Sequence, residues 1–392
     1  MEALRFGVIG PGGRGSLASC VEDVDPASRL VAAADVVPEA LERFREKHGP
    51  DRFVTSDYRE LVERDDLDGV FVCSPDHLHE SHATAALEAG KAVYLEKPIA
   101  ITIEGADRIL ETAMRTGSRL YLGHNMRYFP AVLAMKRLLD SGRIGRLEAV
   151  WCRHFVGIGG DAYFKDWHSE RKNTTGLLLQ KGAHDIDVIH WLAGSYSQAV
   201  VSMGKLSVYN RARRREPGET MSVSIDSKNW PPLAADDYSP QIDVEDHTMV
   251  LMQLANGVQA SYVQCHYTPD YWRNYTFIGT EGRIENFGDS GSCAVHLYTT
   301  RSGGRSEPDE TIAMRPQSGS HGGSDPAIVR SFVDFLRNGT PPNTSPVAAR
   351  YAVAAGVMAT DSLRTDNGLR RVPPLAGEIE AYFAAGQRPD TI

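Results

Sequence analysis

The sequence predicts an α/β protein in two domains. A parallel sheet built of βαβ units is expected over residues 1–124, then an α/β domain over 125–392 with a large, open-faced, mostly antiparallel or mixed sheet. Three observations support this. Short apolar runs alternate with helical patterns as far as Leu122, which is how βαβ units read. Beyond Gly123 the texture changes to runs rich in Val, Tyr and Thr, separated by glycine turns. A chain of 392 residues is also longer than one hydrophobic core normally serves.

The elements follow in order. Phe6 to Ile9 is a short apolar run and so a buried strand, and Gly13 to Cys20 opens a helix. Leu30 to Ala34 is a second strand. Pro38 in the first turn and Gly49-Pro50 beyond the last bound a helix over Pro38 to His48. A short helix over Tyr58 to Arg64 leads to a buried strand over Gly69 to Cys73. A helix over His82 to Ala89, stopped by Gly90, precedes a strand at Ala92 to Leu95. A helix over Ile103 to Thr116 precedes a strand at Leu120 to Leu122, and Pro130 to Ser141 is one more helix. Strands are then expected at Leu147 to Phe155, Ala199 to Val208, Val244 to Leu254, Val258 to His266, Tyr275 to Gly279 and Ala294 to Tyr298. A helix over Gly176 to Leu192 interrupts them, and Asn256-Gly257 is a type I′ hairpin signal. Asp325-Pro326 and Ser345-Pro346 each pair an N-cap with Pro at the first helical position, which starts helices at about 326–337 and 346–364. These late helices are able to pack back on the first domain. The charged, Pro-rich stretch 209–240 has no period and reads as a loop or flap.

Lys plus Arg is 42 and Asp plus Glu is 51, a formal charge of −9, which excludes the basic footprint of a nucleic-acid-binding domain. The one basic cluster, Arg211 to Arg215, is followed by Glu216 and Glu219 and reads as a solvated loop. Five scattered cysteines without a CxxC fit reduced thiols rather than a disulfide framework. No charged and apolar leader precedes the first strand, and no apolar run approaches the ~20 residues of a membrane span. The expectation is a cytoplasmic protein with neither membrane nor nucleic-acid partners.

Four segments carry chemistry. The first strand ends in Gly10-x-Gly12-Gly13-Arg14-Gly15, and Asp35 follows Gly15 by twenty residues at the end of the second strand. Strand, glycine turn, helix and a distant acid together make a dinucleotide grip. Gly10 makes the turn, Gly12 admits a pyrophosphate, and Gly15 lets helix pack on strand. Asp35 accepts from ribose hydroxyls and repels a 2′-phosphate, and no Arg follows it, so NAD is expected over NADP. Arg14 is expected along the pyrophosphate. The second segment, Ser74-Pro75-Asp76-His77-Leu78-His79, ends a strand at the ligand crevice, with His79 near the cofactor. His77, His79 and His82 look metal-like, but no Cys or carboxylate cluster completes a set, and no metal is expected. The third is Glu96-Lys97-Pro98, where a lysine can polarise a substrate oxygen. The fourth is Gln180-Lys-Gly-Ala-His184-Asp-x-Asp187, which puts Gln180 and His184 on one helix face, with an imidazole suited to take a hydroxyl proton. His190, beside Trp191, reads as a core histidine. Tyr163 and His168, together with His154, Lys165 and Arg171, are polar candidates to touch a polyol, and Tyr271 and Trp272 are candidates to stack on a sugar.

With these residues the chain resembles the glucose–fructose oxidoreductase/inositol dehydrogenase family (Gfo/Idh/MocA). The match covers most of the chain: Gly10 to Gly15, Asp35, Ser74-Pro75 with His79, Glu96-Lys97-Pro98, Gly123-His-Asn125-x-Arg127-Tyr128, Gly142-Arg-Ile-Gly145, Trp167 and His184-Asp-x-Asp187. The resemblance implies an N-terminal Rossmann domain, a C-terminal domain whose sheet makes homodimer or homotetramer contacts, and an active site between the two. It implies NAD contacts from Glu96, Lys97, Asn125 and Trp167. The implied reaction oxidises one secondary hydroxyl of a sugar, sugar derivative or inositol, with Lys97 orienting the hydroxyl and His184 as general base. One departure stands out. Where the family usually carries Asp, four residues before the histidine, this chain has Gln180, an amide without charge. Asp161, Asp166 and Asp185 are candidates to replace that acid. The departure keeps two alternatives open: a redox-neutral NAD-dependent glycosidase or lyase, and a non-catalytic NAD- or sugar-binding sensor.

Overall fold

The computed structural model describes residues 3–222, 226–289, 291–304, 307–315 and 320–387. The first sheet takes β1 (Arg5–Ile9), β2 (Arg29–Ala34), β3 (Phe53–Thr55), β4 (Gly69–Val72), β5 (Ala92–Leu95) and β6 (Leu120–Leu122). Between them run α1 (Cys20–Val24), α2 (Pro38–His48), α3 (Tyr58–Val62), α4 (His79–Glu88) and α5 (Ile103–Thr116). The order is β3-β2-β1-β4-β5-β6 and every pair is parallel. That is the doubly wound Rossmann order, in which the strand sequence reverses beside β1 and opens a crevice at the carboxyl ends of the strands.

Next come α6 (Pro130–Asp140), β7 (Leu147–Phe155), α7 (Arg171–Thr174), α8 (Leu177–Ala193) and β8 (Ser197–Lys205). They are followed by β9 (His247–Leu254), β10 (Gln259–Cys265), β11 (Trp272–Gly279), β12 (Arg283–Phe287), β13 (Cys293–Tyr298) and β14 (Glu310–Met314). The chain closes with α9 (Ser324–Asn338), α10 (Pro346–Arg364), β15 (Arg370–Arg371) and α11 (Gly377–Ala384). The second sheet has nine strands in the order β14-β13-β12-β11-β7-β10-β9-β8-β15. It is mixed: β10 and β7 run parallel and the other pairs antiparallel. α6 and α8 pack on one face. The other face leaves Trp151, Met203, Met249 and Leu251 exposed, so β9 alternates buried and exposed residues with period two.

The chain folds into two compact units, one of residues 1–128, 318–350 and 374–392, the other of 129–317 and 351–373. In the first, Phe332 of α9 is fully buried and touches the rings of Phe6, Phe71, Tyr94 and Tyr121 at centroid distances of 5.4–5.8 Å. Arg337 of α9 pairs with Asp25 through Nε at 2.8 Å, and the Gln387 amide bonds both backbone groups of Leu120 at 2.8 Å, which covers the edge strand β6.

Several local expectations are corrected. The first helix begins as a 3-10 stretch, Gly13–Ser19, before α1. The short strands β3, β12, β14 and β15 appear where no strand was expected. The hairpin after β9 is not type I′, because only Gly257 has positive φ (+91°) and its amide donates to Leu254 O at 3.0 Å, as in a type I turn closed by a glycine bulge. Asn256 is instead tied by Nδ2 to Ala193 O at 3.0 Å. Asp325 does not cap α9. Its carboxylate holds Arg14 and Asn125. The stretch 209–240 is anchored at both ends, since Tyr209, Ala212 and Tyr238 are buried with Phe164 and Leu177. Residues 223–225 within it lie outside the described residues. Arg213, Arg214 and Arg215 of its basic cluster bond Glu219 and loop carbonyls.

Candidate active site

The carboxyl ends of β1, β2, β4 and β5 present Gly10, Asp35, Ser74 and Lys97 along one edge of the first sheet. The glycine turn is set by space. Gly10 has φ +80°, and a Cβ there would meet Cys73 O at 2.9 Å. A Cβ on Gly15 would lie 1.8 Å from Gly10 O, so no other residue fits. At Gly12 the nearest atom to such a Cβ is Ala40 Cβ at 3.9 Å, and at Gly13 nothing comes within 4 Å, which leaves the outer side of the turn clear. Asp35 is half-buried at the end of β2, and its Oδ1 accepts from the Val37 amide at 3.0 Å. A tight turn with a clear outer side, and a carboxylate one strand away, fit a nicotinamide dinucleotide.

Several other predicted cofactor residues also brace the surrounding turns. Arg14 pairs with two carboxylates, Glu96 at 2.8 Å and Asp325 at 2.7 Å. His79 is buried with Nδ1 2.7 Å from Pro98 O and Nε2 2.8 Å from Ser74 O, so it straps the Ser74-Pro75 turn to the Lys97-Pro98 turn. His82 bonds Ser74 Oγ at 2.9 Å and lies against Tyr58. Glu96 Oε2 accepts from the Lys97 amide at 3.1 Å. Asn125 donates to Asp325 at 3.3 Å. Lys97 itself is half-buried.

In the second unit, α8 carries Gln180, buried, and His184, half-buried, one turn apart. Of the three acids considered as substitutes at 180, Asp166 caps the Trp167–Ser169 turn and bonds His168 Nδ1 at 2.6 Å. Asp161 bonds Asn229. Asp185 is fully buried against His154 Nδ1 at 3.0 Å, Arg273 Nε at 3.1 Å and the Tyr275 hydroxyl. Burial alone would raise its carboxyl, but Arg273 and the imidazole hold it well below the usual range. His190 accepts from the Ser197 amide at 3.1 Å, as a core histidine. Trp167 stacks on His168 at 3.7 Å, and Tyr163 meets His168 edge-on. Lys165 pairs with Asp237 and Arg171 with Glu245. Arg273 escaped sequence reasoning. Its partner His154 is distant in sequence, and only strand pairing brings the two together.

The fold and the glycine-turn site define a dinucleotide-binding protein. The chain belongs to an oxidoreductase family: residues 4–124 match its NAD-binding Rossmann fold and residues 136–370 its C-terminal alpha/beta domain. The first of these domains is an NAD-binding one, so the cofactor of this chain is NAD. Among named relatives, the inositol 2-dehydrogenase/D-chiro-inositol 3-dehydrogenase of Halalkalibacterium halodurans is 33% identical over 55% of this chain and 60% of its own length. The 1-carboxy-3-chloro-3,4-dihydroxycyclohexa-1,5-diene dehydrogenase of Comamonas testosteroni is 31% identical over 57% and 55%. The matched stretches thus span about three fifths of these relatives. The solved structure of levoglucosan dehydrogenase in complex with NADH has the same fold, at TM-score 0.78 and 20% identity over 95% of this chain and 100% of that one.

Proposed function

We propose that the protein is an NAD-dependent dehydrogenase that oxidises a secondary hydroxyl of a sugar, sugar derivative or inositol, with Lys97 orienting the hydroxyl and His184 taking its proton. The observation that carries this reading is the place of Lys97, at the crevice end of β5, strapped through His79 to the turn after β4. Relatives named as inositol dehydrogenases support the substrate class. The Lys97 ammonium donates to the substrate oxygen and stabilises the charge that grows there as the proton leaves. A His184 ring nitrogen accepts that proton, and the half-buried position of the ring gives it a route to solvent. Bound NAD supplies the carbon that accepts the hydride. With Gln180 in place of an acid, the protonated imidazole gains no ion pair from position 180.

Purified protein with NAD and a panel of polyols is expected to form NADH. Lys97→Ala and His184→Ala should each lower kcat by about 100-fold or more while NAD affinity, read by fluorescence titration, is retained. Undiminished turnover in either variant overturns its assigned role. Gln180 favours a second reading, a redox-neutral lyase or glycosidase, whose mark is glycoside cleavage without net NADH. The exposed apolar face over β7, β8 and β9 supports a homo-oligomer. Among the described residues no helix is long and apolar enough to cross a membrane.

A further inference from the structure

One corner of the nine-stranded sheet's helix-covered face is a line of buried polar side chains. Thr248 on β9, Gln264 on β10, His154 on β7 and Arg273 on β11 occupy neighbouring register positions across four strands. His266 follows two residues past Gln264, on the same side. Part of the line is internally satisfied. Arg273 pairs with Asp185 and with Asp289 at 2.7 Å, and His154 lies between Asp185 and Arg273.

The remainder is not satisfied. Thr248, Gln264 and His266 are all 0% exposed. Gln264 Oε1 accepts from the Tyr262 hydroxyl at 2.8 Å. Its Nε2, Thr248 Oγ1 and both ring nitrogens of His266 have no hydrogen-bond partner among the described residues. A buried polar group left unsatisfied costs about 1–3 kcal/mol, so a cluster of them implies an occupant. The kind of group decides the kind of occupant. Gln264 Nε2 only donates. Burial keeps the His266 imidazole neutral, so one of its nitrogens carries a hydrogen to donate.

A cation borders the same corner. The Lys181 ammonium lies 4.5 Å from the Tyr163 ring centroid, and that ring meets His266 edge-on at 5.6 Å. Lys181 is near enough to His266 and His154 for its charge to lower the basicity of both. It sits three residues before His184 on α8, hence on an adjoining part of the same helix face. Lys181 and Tyr163 are half-buried, while Gln264 and His266 are fully buried.

We propose that this corner seats a carboxylate of the substrate, with Gln264 Nε2 and the His266 N–H donating to its oxygens and Lys181 balancing its charge, so that the preferred substrate is an acidic sugar or carboxylated cyclitol. The proposal rests on the dehydrogenase reading for the position of the reacting hydroxyl.

The test compares matched pairs, hexuronate with hexose and aldonate with alditol, by NADH formation and by calorimetric binding to the NADH-loaded protein. One acid is expected to exceed its neutral partner in kcat/KM by about 30-fold. Lys181→Met should cut that ratio by about tenfold, and Lys181→Arg should restore part of it. Acids no better than their partners, as when the corner holds only ordered water, overturn the proposal, as does a ratio unmoved in Lys181→Met. A sugar phosphate preferred over the carboxylate overturns the choice of anion. The two readings fail separately. Neutral polyols oxidised without acid preference sink the carboxylate seat and keep the dehydrogenase. An acid that binds tightly through Lys181, with no member of the panel reducing NAD, sinks the dehydrogenase and keeps the seat. Binding of neither member of any pair sinks the seat.

Discussion

His154 shows how much a single side chain can settle. Arg273 Nη2 lies 3.2 Å from its Nε2, and a guanidinium only donates, so Nε2 accepts and Nδ1 carries the hydrogen it gives to Asp185. The imidazole is therefore neutral. Burial and the Arg273 charge hold its pKa down to about 4 from the ordinary 6.5, against the opposing pull of Asp185. The unfolded chain takes up a proton as pH falls through the ordinary value, and the folded protein does not until about 4. Stability is thus complete above the unfolded value and declines as pH falls across that window. His82, also lowered to about 4, adds to the decline with the same sign. Urea midpoints should fall from neutral pH toward about pH 4.5, and His154→Gln should make the slope shallower by about one proton. An equal slope in the variant would show that His154 ionises normally in the fold. None of this was legible in the sequence, because His154 and Arg273 are 119 residues apart and meet only through the β7–β11 register. Gly15 was legible, because the clash it avoids lies within its own turn.

At the scale of elements, strong local punctuation made for correct expectations. α2 and α10 begin at prolines as expected, and α5 runs from Ile103 to a left-handed Gly117. Elements set by distant partners were missed. β3 is three residues long and finds its place only beside β2, and β14 is half-exposed along its length, so it has no apolar run to read. α9 gives the clearest prediction at this scale. Its Phe332 is ringed by four aromatic side chains from the parallel sheet. Phe332→Ala should lower the unfolding free energy by about 3–5 kcal/mol, measured by urea unfolding. A loss below about 1 kcal/mol would mean that the sheet repacks around the vacancy.

For the whole molecule, the open sheet face makes an assembly prediction. Trp151 and Leu251 are both register partners of Ser261, and Met249 pairs with Met203, so four exposed apolar residues form a patch across β7, β10, β9 and β8. Such patches mark interfaces. Light scattering is expected to give a dimer or tetramer, and Leu251→Glu should shift it toward monomer. A monomeric parent protein would sink that expectation. The sequence made the strand content of this sheet readable but not which of its faces is covered, since that depends on where α6 and α8 return.

The aromatic nest around Phe332 also bears on how the protein is made. Residues 1–128 are synthesised before the ring that fills their centre, which arrives some two hundred residues later, and Gln387, which closes the β6 edge, comes later still. Most of the second unit is synthesised in between. Until α9 is synthesised, the nascent parallel sheet carries an apolar gap where Phe332 will sit, the kind of transiently exposed surface that chaperones shield.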